Sequence, residues 1–164
     1  MDDILKDKRI LLVDDEPDVL ETLEELLDMC HTDTAATFEA ALSLLKKRSY
    51  DAAILDIMGV NGYSLLKITR KLDIPTLMLT AHALTPDNLK RSMDQGADAY
   101  VPKDKMLDIA LFVSDVLYAR KQGKRVDAAW FSVLTPLFEK IFGKGWQQKD
   151  ADFWDAFEHP PKKD

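Results

Sequence analysis

Four consecutive apolar residues, Ala52-Ala53-Ile54-Leu55, run directly into a carboxylate at Asp56, and this junction constrains the fold more than any other stretch. A short apolar run without alternation predicts a strand buried on both faces, as in a parallel sheet covered by helices. Asp56 sits at its carboxyl end, before the loop Ile57-Met58-Gly59-Val60-Asn61-Gly62. In open α/β sheets that edge presents ligands and reacting groups. Taken alone, Asp56 is better read as an ordinary acid ending a strand. The rest of the chain changes the balance.

The same strand–loop–helix unit recurs along the sequence. Arg9-Ile10-Leu11-Leu12-Val13 is a second apolar run, followed at once by Asp14-Asp15-Glu16. Pro17 suits a first helical turn, and the acids beside it favour the positive helix end. Leu20, Leu23 and Leu27 then recur at helical spacing to about Met29. Thr32–Ala36 reads as a weak strand and Glu39–Arg48 as a helix. After the Ala52–Asp56 strand comes a helix through Leu65, Leu66 and Ile68. Pro75–Thr80 is another buried strand, its proline at the tolerated entry position. A polar helix starts at Pro86 and stops at Gln95-Gly96. Ala99-Tyr100-Val101 is a brief strand, and Met106–Tyr118 an amphipathic helix. Five strands alternating with five helices predict a doubly wound parallel α/β sheet, helices on both faces.

Gln122-Gly123-Lys124-Arg125 interrupts this pattern. The expected division is therefore a domain over 1–122 and a helical extension over 123–164. In the extension Trp130, Leu134, Leu137, Phe138 and Ile141 form a helical stripe that Pro136 is expected to kink. Phe153, Trp154 and Phe157 suggest another turn or two, and the tail 160–164 reads as frayed.

Charge narrows the function. The net −7 falls entirely on residues 1–122, with 15 Lys+Arg against 22 Asp+Glu, while residues 123–164 carry 7 of each. Neither part has the basic excess of a nucleic-acid surface. No apolar run reaches membrane-spanning length and the start is polar rather than signal-like. The single Cys30 excludes an internal disulfide framework, so a cytoplasmic setting is expected.

Parallel topology brings Asp14, Asp15, Asp56, Thr80 and Lys103 to one carboxyl edge. Carboxylates gathered there repel one another unless a cation lies among them, and an all-oxygen set with open positions suits Mg²⁺. A lysine and a threonine hydroxyl can address phosphate oxygens. The predicted chemistry is attack by one carboxylate on phosphorus, giving an acyl phosphate.

The motifs Leu12-Val13-Asp14-Asp15-Glu16, Ile54-Leu55-Asp56, Leu79-Thr80-Ala81 and Gly96–Lys103 resemble, in order and spacing, the receiver domain of two-component response regulators. The resemblance covers about residues 8–121. It implies a flavodoxin-like sheet of order 2-1-3-4-5. It further implies Asp56 as phosphoacceptor, Asp14 and Asp15 as Mg²⁺-binding acids with Asp15 preferred as the direct ligand, and the Met58 carbonyl as a further ligand. Thr80 and Lys103 address the phosphoryl group, and Tyr100 is the switch aromatic coupled to Thr80. The implied partners are a histidine kinase or phosphotransfer protein as donor and a downstream protein as target. The extension is read as supporting homodimerisation or docking a partner.

Two departures accompany the resemblance. Asp56 to Gly62 spans six steps, a shorter loop than the family pattern, and Asp104 rather than proline follows Lys103. A trans bond is therefore expected after the lysine. Two other readings stay open: a receiver-like module that is never phosphorylated, and a phosphohydrolase with Asp56 as nucleophile. Aspartate-based phosphatases carry a second aspartate two residues on, where this chain has Met58, so no metabolite-turning enzyme is expected.

Overall fold

The computed structural model describes residues 3–123 and 129–159. These fall into two compact units, Met1–Asp127 and Ala128–Asp164. The predicted interruption at Lys124-Arg125 and the frayed tail lie outside the described residues.

In the first unit, β1 (Arg9–Val13), β2 (His31–Ala35), β3 (Ala52–Leu55), β4 (Thr76–Thr80) and β5 (Ala99–Pro102) form one parallel sheet. Its order is β2-β1-β3-β4-β5, as expected. Helices α1 (Pro17–Leu26), α2 (Phe38–Lys47), α3 (Gly62–Lys71), α4 (Pro86–Asp94) and α5 (Ile109–Lys121) alternate with the strands. All residues of β3 and β4 are buried, the burial that their unbroken apolar runs require.

Local chemistry sets the helix starts. Pro17 and Pro86 open α1 and α4, where a missing N–H costs nothing. The Thr37 and Thr85 hydroxyls accept the Ala40 and Asn88 N–H groups at 3.1 Å, capping α2 and α4. Some boundaries differ from expectation. The first helix stops at Leu26 rather than near Met29, because Asp7 N–H bonds the Met29 carbonyl and His31 N–H the Lys8 carbonyl, drawing the chain into β2. Residues 103–108 wind as a 3₁₀ turn, so the last helix begins at Ile109 rather than Met106.

Register fixes the edge that matters. Val13 pairs with Leu55, Leu55 with Met78, and Thr80 with Pro102. The first residues beyond these strand ends therefore emerge side by side. Asp56 N–H continues the ladder onto the Val13 carbonyl at 2.9 Å, and Asp14 N–H onto Ala35 at 3.1 Å.

The second unit contains α6 (Ala129–Phe142) and α7 (Ala151–Glu158), with a 3₁₀ turn at Gln148–Asp150. Pro136 lies inside α6. Phe131 stacks on Trp154 at 5.4 Å between ring centroids, and Trp146 meets Phe138, Phe142 and Trp154 edge-on. Such stacked and edge-to-face pairs add to the apolar area they bury. Of the stripe predicted for this region, Trp130, Leu134 and Phe138 are buried in a small aromatic core, whereas Ile141 is exposed.

Candidate functional site

Asp14, Asp56, Thr80 and Lys103 lie at the carboxyl edge, with Asp15 beside them. Asp14 and Asp56 are buried, at 1% and 3% exposure, while Asp15 is exposed. One oxygen from each carboxylate falls within 4.8 Å of the others. Lys103 Nζ lies 2.9 Å from Asp14, 3.8 Å from Asp56 and 3.1 Å from Glu16. Three acids thus share one ammonium, with the Asp15 carboxylate beside them.

Backbone donors take part of the charge. Asp14 accepts the Glu16 N–H at 2.9 Å and Asp56 the Ile57 N–H at 3.0 Å. They do not offset burial. Desolvation, reinforced by the charge of Asp14, pushes the Asp56 carboxyl up to about 6, against the pull of Lys103. Burial also raises Asp14. Burial works against the Lys103 ammonium, yet its bonds to Asp14 and Glu16 leave its pKa raised. Lys103 in turn lowers Glu16. A group of carboxylates holding more negative charge than its one lysine neutralises is a chemical fit for a hard divalent cation.

The loop after Asp56 is pressed against this group. Gly59 has φ +83°, and a Cβ there would collide with the Asp15 carboxylate. Gly62 is equally constrained, since a Cβ would strike the Asp56 carbonyl. These two glycines let the short loop turn tightly beside the acids. The Met58 side chain is half exposed and points to no role of its own; its predicted part was for the carbonyl.

Thr80 and Tyr100 converge on one residue. Thr80 Oγ1 accepts the Ala83 N–H at 3.1 Å, and the Tyr100 hydroxyl donates to the Ala83 carbonyl at 2.7 Å. Tyr100 is wholly buried, and burial raises its phenol pKa. Two participants escaped the sequence reading. Glu16 was seen only as a neighbour of the acidic pair, and its i+2 spacing from Asp14 was the available signal. Ala83 carried no signal, because its role is played by backbone atoms. No cis peptide bond occurs among the described residues, so the Lys103–Asp104 bond is trans as expected.

The comparisons with known proteins bear on the family and the fold. The family model for the response regulator receiver domain matches residues 10–110. The chain belongs to that family. Among curated relatives, the heme response regulator HssR of Staphylococcus aureus is 40% identical over 98 residues, covering 57% of this chain and 43% of that protein. The matched stretch therefore spans less than half of that relative. Among solved structures, a CheY-like receiver from Methanospirillum hungatei superposes with a TM-score of 0.65 at 26% identity, over 72% of this chain and 99% of that one. A response regulator from Chloroflexus aurantiacus gives 0.62 at 31% identity, over 69% and 99%. Receivers of this kind are signalling components of two-component systems. No described helix of this receiver is long and apolar enough to cross a membrane.

Proposed function

We propose that this receiver accepts a phosphoryl group on Asp56 from a phosphohistidine of a histidine kinase or phosphotransfer protein, and signals by protein–protein contact in the cytoplasm. The observation that carries the reading is the placement of Lys103 Nζ between Asp14 and Asp56, with the three aspartate carboxylates converging beside it. Asp14, Asp15, Asp56 and the Met58 carbonyl would hold Mg²⁺. When bound, the ion would neutralise the carboxylates and the incoming phosphoryl oxygens.

The residues of the chain supply the rest. With its carboxyl pushed up to about 6, Asp56 is mostly ionised at neutral pH, and more basic than an ordinary aspartate. Its oxygen forms the new O–P bond while the donor's N–P bond breaks, leaving the electron pair on the imidazole. Lys103, already 3.8 Å from Asp56, neutralises a phosphoryl oxygen. Thr80 turns its hydroxyl to another phosphoryl oxygen and so releases the Ala83 N–H. Tyr100 is held by the carbonyl of that same residue, so reorganisation at Ala83 loosens the phenol and changes the α4–β5–α5 face. This is a local charge event biasing two packings. Residues 1–122 would form the receiver and 123–164 an extension for homodimerisation or partner docking.

Intact-mass measurement after incubation with acetyl phosphate and Mg²⁺ tests the proposal. A single phosphoryl adduct is expected, lost in Asp56→Asn and in excess EDTA. No adduct at any Mg²⁺ concentration would leave an unphosphorylated interaction module instead, and sustained turnover of phosphate esters would make the protein a hydrolase.

A further inference from the structure

A cleft of about 440 Å³ opens beside the same loop, lined by Ile57, Met58 and Gly59 together with residues of α3 and α4. No carboxylate lines it, although the chain carries a net charge of −7. Its charged members are two cations, Lys67 on α3 and Arg91 on α4, both exposed. Among the described residues neither has a carboxylate partner. Its other polar walls are neutral: Asn61, Ser64, Asn88 and Gln95.

The Arg91 side chain is held in place by an aromatic contact. Its guanidinium lies 3.8 Å over the centre of the Tyr63 ring, and the Tyr63 hydroxyl donates to Asn88 Oδ1 at 2.6 Å. Stacking covers one face of the guanidinium and leaves its in-plane N–H donors available, the fork that suits a tetrahedral oxyanion. A cleft of this size accommodates a small organic ligand. Two unpaired cations match a dianion, and amide and hydroxyl walls match a hydroxylated body better than an apolar one.

We infer that this cleft binds a phosphate monoester of a small hydroxylated molecule, its phosphate held between Lys67 and Arg91. Ile57–Gly59 wall the cleft on one side and join Asp56 to the glycine pressed against Asp15 on the other. The inference stands apart from the phosphorylation reading, because ester binding needs no phosphoryl transfer.

The test is an amide NMR titration of the full ¹⁵N-labelled chain in EDTA. The probes are glucose 6-phosphate and AMP, with glucose, adenosine and inorganic phosphate as controls. The expected result is saturable shifts centred on Asn61, Ser64, Lys67, Asn88 and Arg91 with at least one ester, and none with its uncharged counterpart. Lys67→Gln and Arg91→Gln should each weaken that binding about tenfold, the loss of one charge-assisted contact. Lys67→Gln leaves the Tyr63 stack untouched, so it remains decisive should Arg91→Gln disturb α4. The inference is overturned by any of four outcomes: no saturable shifts with either ester; shifts centred on Asp14, Asp56 and Lys103; equal affinity for inorganic phosphate; or unchanged affinity in both variants.

Discussion

The two edges of the receiver sheet solve the same electrostatic problem in opposite ways. At the amino edge, Asp98 precedes β5 and is buried at 6% exposure, yet every demand on it is met. It accepts the Thr76 N–H at 2.9 Å and two bonds from Arg120, at 3.3 and 3.2 Å. Arg120 reaches a second acid, the exposed Asp73, at 2.8 Å. At the carboxyl edge, Asp14 and Asp56 are as deeply buried but share a single lysine with Asp15 nearby and with Glu16. One edge is a closed structural clamp. The other keeps an excess of negative charge, which lowers metal-free stability and which the proposed cation would relieve.

Substitutions at the two edges should therefore act with opposite sign. Asp98→Ala strips a buried N–H and the Arg120 fork of their acceptor, and should cost about 4 kcal/mol in urea unfolding. A loss near zero would mean that the clamp is not structural.

Asp56→Asn should stabilise the protein in EDTA. The folded-state pKa of Asp56 is raised from 3.8 to about 6, so the fold favours the protonated acid. That contribution is fully present below the unfolded value and is lost as pH rises through about 6. The advantage of the variant should therefore grow between about pH 4 and pH 6 and level off near 3 kcal/mol. Unfolding curves of parent and variant across that range check the sign, and a variant less stable than the parent at pH 8 would overturn the contrast between the edges.

Gly59→Ala tests how closely the loop serves the acidic pocket. The added methyl collides with Asp15 at a left-handed backbone position. Mg²⁺ affinity should fall about tenfold, or 1.4 kcal/mol, in calorimetric titration. The smallest effect is expected of Tyr100→Phe, which removes the bond to the Ala83 carbonyl and should cost about 1 kcal/mol in thermal or urea unfolding.

Much of this is legible in the sequence. The strand ending at Asp56 could be read because four apolar residues in a row have no solvent face. The aromatic stripe around Trp130 and Phe138 could be read because helical spacing is local. Boundaries were less legible. The end of α1 depends on hydrogen bonds between Asp7 and Met29 and between Lys8 and His31, which no local propensity encodes. The Phe131–Trp154 stack joins two helices through a turn, and its partners could not be paired from spacing alone.

By itself the sequence determined the parallel sheet and which side chains follow its strands at the carboxyl edge, because residue types and periodicity follow from burial of one strand after another. Only the tertiary structure decided how those side chains are balanced. Glu16 competes for Lys103, Gly59 gives way to Asp15, and Thr80 and Tyr100 grip opposite ends of Ala83. The cleft holding Lys67 and Arg91 was likewise invisible to the sequence, since its walls come from a loop and two helices. The physical reason is one of range. Periodicity and composition report on neighbours along the chain, whereas charge excess, close approach and shared backbone partners exist only between segments brought together by the fold.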